Sequence, residues 1–154
     1  MLYPVMEGHN KTAEISQQMK EKGLRITPQR FAVYANLLSR CDHPTVDDIL
    51  TEINRELPIA SKASVYSALS VLREVGLVRE VLLDEGVTRY DAKVEPHHHF
   101  VCEGCGQIKD LAWDVFKNLQ LNPLPSGFQV NAYEITVKGC CDRCNLERVE
   151  DQNP

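Results

Sequence analysis

Two Cys-x-x-Cys pairs, Cys102-Glu103-Gly104-Cys105 and Cys141-Asp142-Arg143-Cys144, lie 35 residues apart and constrain this chain more than any other feature. In a protein without an oxidising environment, thiols at such spacing either bind a metal ion or do redox chemistry. Four soft sulfur donors in a tetrahedral set select zinc. A shell closed by four protein ligands leaves no position for substrate, so the expected role is structural. A dithiol redox pair is the alternative, and the doubling of the knuckle favours zinc over it. Cys140 directly precedes Cys141 and competes with it, but the two-residue spacing to Cys144 favours Cys141, leaving Cys41 and Cys140 outside the ligand set.

The chain has 154 residues, enough for one ordinary domain or two small ones. The pattern changes type near residue 90. Upstream, a polar helix is expected over Thr12 to Lys22, ending at Gly23. A second starts with Thr27 as N-cap and Pro28 at the first helical position. Thr45 opens a third, with Asp48 completing a variant capping box, and Ser61 caps a fourth that runs to Gly76. On that fourth helix Val65, Ala68, Leu69, Leu72 and Val75 share one face. The opposite face carries Ala63, Tyr66, Ser67, Ser70, Arg73 and Glu74, small and hydrogen-bonding side chains around one aromatic, which suits a helix lying in a major groove. Strands are expected over Leu77 to Leu83 and Val87 to Tyr90, joined by an Asp84-Glu85-Gly86 turn. Helices followed by such a hairpin make a winged helix-turn-helix.

After residue 90 the expected elements are a strand over His97 to Val101, a helix over Leu111 to Leu121, a loop over Asn122 to Gly127 and a strand over Phe128 to Val137. The fold class is therefore α+β. A winged-helix DNA-binding domain spans 1–90, with 1–11 as an extension, and a small α/β metal-binding domain spans 91–154. A unit of about 60 residues is marginal alone and needs a metal, a partner subunit or both.

Net charge is -5, which at first opposes nucleic acid binding. Residues 1–90, however, hold 11 Lys plus Arg against 12 Asp plus Glu, whereas residues 91–154 hold 6 against 10. The acidity belongs mainly to the second part. Met1 to Lys11 lacks the features of a secretory signal and no apolar run approaches a membrane span, so a soluble cytoplasmic protein with no membrane partner is expected.

His97-His98-His99 precedes the first knuckle. Strand alternation turns His97 and His99 to one side, and His98, Phe100 and Cys102 to the other. Candidate companions for His97 and His99 are Asp91, Asp110 and His43. Three imidazoles and two carboxylates suit a divalent ion such as Fe²⁺ or Mn²⁺ and leave a sixth position open. Taken singly, each of these residues has a plain structural reading, His43 as a loop residue and the triplet as a solvent-facing strand. An enzyme performing metal-assisted hydrolysis would need a substrate pocket and a general base. Only Asp114 offers itself as a base, and no enzyme is expected.

The chain resembles the ferric uptake regulator (Fur) family, and within it the peroxide-responsive repressors (PerR). The likeness runs over nearly all of residues 20–145. It is carried by Gly23-Leu24-Arg25, Thr27-Pro28-Gln29-Arg30, His43-Pro44-Thr45, Ser64-Val65-Tyr66, Gly76-Leu77-Val78, Arg89-Tyr90-Asp91, the histidine triplet and both knuckles. The resemblance implies a homodimer built on the C-terminal domains that binds a palindromic double-stranded operator. Arg25, Ala63, Tyr66, Ser67, Ser70 and Arg73 are the candidate DNA contacts. It also implies structural Zn²⁺ at Cys102, Cys105, Cys141 and Cys144, and regulatory Fe²⁺ or Mn²⁺ at His43, Asp91, His97, His99 and Asp110. Asp110 stands where iron-sensing members typically have Glu, which points to the peroxide-responsive subgroup. In that subgroup, oxidation of His43 or His97 to 2-oxo-histidine would release the iron and the DNA. The alternative is an iron- or zinc-availability repressor of uptake genes. The chain departs from the family pattern in two places. Ser67 follows the recognition-helix Tyr where Fur proteins often have Arg, and Asn131-Ala132-Tyr133 replaces a stretch that often carries a further metal-binding histidine, so no third metal site is expected.

Overall fold

The computed structural model describes residues 8–56, 58–84, 86–120 and 124–150. Residues 1–7 of the extension, Glu85 of the expected turn, and residues 121–123 of the expected helix end and loop lie outside the described residues. The chain forms two compact units, one ending at Val94 and the other beginning at Glu95.

In the first unit, α1 spans Gly8–Glu21, α2 Pro28–Leu38, α3 Val46–Ile53 and α4 Lys62–Glu74. Each start after α1 is fixed by a side chain that satisfies an orphan amide of the first turn. Thr27 accepts from the Arg30 N–H at 3.2 Å. Thr45 and Asp48 form a reciprocal capping box, as do Ser61 and Ser64. The core gathers the apolar faces of these helices. Val33, Ile49, Val65 and Leu72 have no measurable exposure, and Leu77, Val78 and Tyr90 close the same cluster from the hairpin side. Gly76, at φ 74°, supplies the left-handed backbone that ends α4 and turns the chain into the hairpin.

That hairpin consists of β1 (Arg79–Asp84) and β2 (Val87–Asp91), antiparallel, with Arg79 opposite Asp91 and Val81 opposite Arg89. A register irregularity between Leu82 and Asp84 absorbs one residue near the tip. Alternation is plain along β1, where Val81 and Leu83 are buried and Leu82 is 76% exposed. Helices α2 to α4 and this hairpin form the winged helix-turn-helix that the sequence predicts.

In the second unit, β3 (His98–Cys102) pairs antiparallel with β4 (Ile108–Leu111) and parallel with β5 (Thr136–Gly139), giving the sheet order β4-β3-β5. Helix α5 (Asp142–Glu150) follows the second knuckle. The helix expected over Leu111 to Leu121 is reduced to a single 3₁₀ turn, Trp113–Phe116. Val115 is 56% and Leu119 51% exposed, so no apolar face is buried to repay the cost of nucleating a longer helix. The strand expected over Phe128 to Val137 is confined to its last residues and runs on to Gly139, because pairing with β3 begins only where Thr136 comes opposite His99. The architecture as a whole is α+β.

Burial depth ranks the apolar side chains by their contribution. Leu72→Ala removes a fully buried side chain, and we expect it to lower the unfolding free energy by about 2–5 kcal/mol in urea titration. Leu82→Ala, at the exposed position on the wing, is expected to change it by less than about 0.5 kcal/mol.

Candidate metal centres

A tight turn after β3 forms the first knuckle. The Cys102 N–H donates to the Gln107 carbonyl at 2.9 Å and the Gly106 N–H to the Cys102 carbonyl at 2.8 Å, with Gly106 at φ 72°. Parallel pairing of β5 with β3 brings in the second knuckle, held by the Glu103 N–H donating to the Gly139 carbonyl at 2.7 Å. Cys102, Cys105, Cys141 and Cys144 then offer four sulfurs that all lie within 4.8 Å of one another. The Cys105 and Cys141 sulfurs are 3.8 Å apart, and the Cys141 N–H donates to the Cys102 sulfur at 3.2 Å.

Three observations show that this set fits a tetrahedral thiolate ion such as zinc. All four donors are soft sulfur. Backbone amides point at the sulfurs: the Cys141 N–H, then those of Cys105 and Gly104, hold the Cys102 thiol down to about 6. The Gln107 N–H likewise lowers Cys105, and the Arg143 guanidinium donates to the same sulfur. Finally, a Cβ on Gly104 would lie 3.0 Å from both Cβ and Sγ of Cys144, so a larger residue there would press on a sulfur of the set. Hydrogen bonding to Cys105 and Cys141 pushes the Cys144 thiol up to about 12. Cys41 is exposed and Cys140 half-buried, and neither joins this set.

The histidine triplet divides as the alternation predicts. The His97 and His99 rings meet edge to face with centroids 4.6 Å apart. His98 instead stacks on Trp113 at 4.7 Å, and its Nδ1 accepts from the Ile135 N–H at 3.2 Å. All three are buried. Asp110 is placed by the β3–β4 register, directly opposite His99. His97 donates from Nδ1 to the Glu95 carbonyl at 2.8 Å, which leaves Nε2 as the lone-pair nitrogen, 3.3 Å from an Asp110 oxygen. One donor atom from each of His97, His99 and Asp110 lies within 4.8 Å of the others.

The first unit holds a second pair of the same kind. Buried His43 presents Nε2 to an Asp91 oxygen at 3.5 Å, and Arg79 approaches that oxygen at 3.5 Å from the facing strand. His43 has φ 53°, the sole positive φ among the described non-glycine residues. The Arg89 guanidinium donates to the His43 carbonyl at 3.1 Å. Arg89 belongs to a motif visible in the sequence, but nothing in that motif announces this contact, and sequence reasoning gave it no role of its own.

On the exposed face of α4, Ala63, Tyr66 and Ser67 are open to solvent, with Tyr66 50% exposed. Ser70 is half-buried and donates to Glu74 at 3.4 Å. Arg73 is ion-paired with Glu80 of β1, so its charge is directed at the hairpin. Arg25 is exposed before α2, and its carbonyl accepts from Arg30 at 2.9 Å. Lys62, ion-paired with Asp47 at 2.7 Å, is a cation on this side that the pattern of small residues did not single out. Among the described residues no helix is long and apolar enough to cross a membrane.

A winged helix followed by a small unit rich in converging thiolates and imidazoles defines a metal-binding member of the winged-helix regulators. Residues 21–138 match the ferric uptake regulator family, and the chain belongs to that family. It is 37% identical over 133 residues to the peroxide operon regulator of Bacillus subtilis (strain 168), covering 86% of this chain and 92% of that one. It is 32% identical over 130 residues to the peroxide-responsive repressor PerR of Staphylococcus epidermidis, covering 84% and 87%. Among solved structures, the Campylobacter jejuni peroxide stress regulator superposes with a TM-score of 0.58 at 29% identity, covering 90% of this chain and all of that one. The chain's role at the level of the family is that of a metal-dependent transcriptional repressor.

Gly104→Ala is expected to speed zinc release to a chromogenic chelator, because its methyl group would displace the Cys144 sulfur. Metal binding needs thiolates, so zinc loading must expel protons from the cluster, with the Cys144 thiol raised against that loss. Apparent zinc affinity, measured by competition, is therefore expected to fall as pH is lowered, and to fall more steeply below about 6 where Cys102 also protonates.

Proposed function

We propose that this protein is a peroxide-sensing, metal-dependent repressor that acts as a homodimer on a palindromic operator. Its structural ion would be Zn²⁺ at Cys102, Cys105, Cys141 and Cys144. Its regulatory ion would be Fe²⁺ or Mn²⁺, with His43, Asp91, His97, His99 and Asp110 as the ligand set. The observation that carries this reading is that each unit, taken by itself, already pairs a buried imidazole with a carboxylate: His43 with Asp91 at 3.5 Å and His97 with Asp110 at 3.3 Å. Buried imidazole and carboxylate donors suit Fe²⁺ and Mn²⁺. The names of the relatives in Bacillus and Staphylococcus supply the signal.

His43 and Asp91 belong to the reading unit, and His97, His99 and Asp110 to the other. Ligation by all five would couple the two, so that one relative arrangement is favoured when the set is filled. Half-sites on an operator have fixed spacing, so fixing that arrangement in both protomers selects for binding. A switch from 1:99 to 99:1 needs about 5.5 kcal/mol of differential affinity, within reach of several ligand bonds. Tyr66 and Ser67 on α4 would face the bases, with Ala63, Ser70, Arg25 and the hairpin alongside. The pairing of Arg73 with Glu80 makes Arg73 the weakest of the proposed contacts. Bound Fe²⁺ would catalyse transfer of one peroxide oxygen to a ligand imidazole, the ring losing two electrons and the second oxygen leaving as water. His43 and His97 each lie against a carboxylate, and conversion of either to 2-oxo-histidine would remove a ligand and release the operator.

Gel-shift titration with Fe²⁺, Mn²⁺ or Zn²⁺, each with and without peroxide, tests partner, metal and signal together. Fe²⁺-dependent and Mn²⁺-dependent retardation is expected, lost on peroxide treatment for the Fe²⁺ form only, with a gain of about 16 Da on the peptide holding His43 or His97. His43→Ala and His97→Ala are each expected to abolish metal-dependent retardation. Operator release on metal removal with no response to peroxide would instead identify a metal-availability repressor.

A further inference from the structure

The backbone of His43 is in a conformation that the sequence alone disfavours twice. A left-handed φ of 53° crowds any side chain beyond glycine, and the following Pro44 restricts His43 further toward extended geometry. Such a residue persists only where its surroundings over-determine it, and strain of this sort gathers at functional sites. The surroundings here are three consecutive residues of β2. The Arg89 guanidinium donates to the His43 carbonyl at 3.1 Å. The Tyr90 N–H donates to the Pro44 carbonyl at 3.0 Å. The Asp91 carboxylate lies 3.5 Å from His43 Nε2. Two successive carbonyls of the loop are thus gripped by the strand that also carries the carboxylate. Arg89 and Asp91 are two apart on that strand and project to the same side.

We propose that Arg89 is the positioning residue of the regulatory metal site. By holding the His43 carbonyl it keeps the loop left-handed, and so aims the His43 ring at the Asp91 carboxylate before any ion arrives. This rests on the reading of His43 and Asp91 as metal ligands. Without the guanidinium, only the Tyr90 bond to the Pro44 carbonyl remains, and the His43 peptide can relax toward negative φ, which swings the Cα–Cβ bond and takes the imidazole away from Asp91. Arg89 touches no ion in this scheme and acts on the site through the His43 peptide. The grip also ties the ligand loop to the wing, since β2 is one of the wing's two strands.

The test uses the full-length, zinc-loaded protein and Mn²⁺ as probe, titrated by electron paramagnetic resonance of the free ion. Arg89→Met keeps the aliphatic stem and removes every donor. It is expected to weaken Mn²⁺ binding by about 10–100-fold while leaving zinc content and melting temperature close to those of the parent. Arg89→Lys, which restores one long donor, is expected to recover part of that loss, a rescue that a purely structural role of the stem would not show. If Arg89→Met fails to fold, Arg89→Gln, too short to reach the carbonyl, decides in its place with the same expectation. Mn²⁺ affinity of the deciding variant within about threefold of the parent overturns the positioning role. His43→Ala, run alongside, separates the two layers of the argument. Retained Mn²⁺ affinity in His43→Ala overturns the ligand set itself. Lost affinity there with unchanged affinity at position 89 overturns Arg89 alone.

Discussion

Convergence of four sulfurs is the constraint on which the second half of this molecule depends. Among the described residues beyond Glu95, the buried apolar side chains are Val101, Ile108 and two of the cysteines themselves, Cys102 and Cys144. At roughly 1.5–3 kcal/mol for each fully buried aliphatic side chain, such a core cannot offset the entropy of ordering sixty residues. The first unit is different in kind, with a continuous apolar cluster from Met19 to Tyr90. One unit is organised by packing and the other by donor chemistry. The imidazoles sit in the second kind of environment, where three buried histidines take the place a hydrophobic unit would give to leucine.

The two organising principles leave different traces in sequence. Packed helices announce themselves through caps, and Thr27, Thr45 with Asp48, and Ser61 were legible because each is a short-range hydrogen-bonding device that any chain context preserves. The knuckles were equally legible, since ligand spacing is dictated by the size of the ion. The split of the triplet, with His97 and His99 together and His98 against Trp113, followed from period-two alternation alone. Elements of the second unit were read less well. The apolar residues from Leu111 onward carry a helix-like pattern, but Val115 and Leu119 meet no packed surface and a single 3₁₀ turn forms. Helix α5 has no signature in the sequence, because Asp142 and Arg143 lie inside the knuckle spacing and no apolar stripe follows them.

The site shows the same division. Which residues could serve as donors was readable from residue type and spacing, while the devices that orient them were not. Gly104 is an ordinary knuckle glycine on paper, and only the closeness of Cys144 shows what a larger residue would crowd. The left-handed backbone of His43 has no local signature, because it is imposed by a strand that lies 46 residues further along the chain. Pairing of Arg73 with Glu80 likewise depends on how the hairpin returns toward α4. Long-range geometry of this sort enters a sequence only as isolated polar residues with no visible purpose.

The parallel pairing of β3 with β5 has a consequence for biosynthesis. Parallel strands cannot be joined by a tight turn, so Cys102 and Cys105 leave the ribosome well before Cys141 and Cys144 exist. At about 5–20 residues per second the first knuckle waits roughly 2–7 s for the second, with its thiols open to oxidation and to competing metals. The winged helix lies wholly within the segment that ends at Val94, so all of its residues are made before either knuckle. Nascent chains therefore pass through an interval in which the first knuckle stands without its partner, and the four-sulfur set can close only once Cys144 has been made.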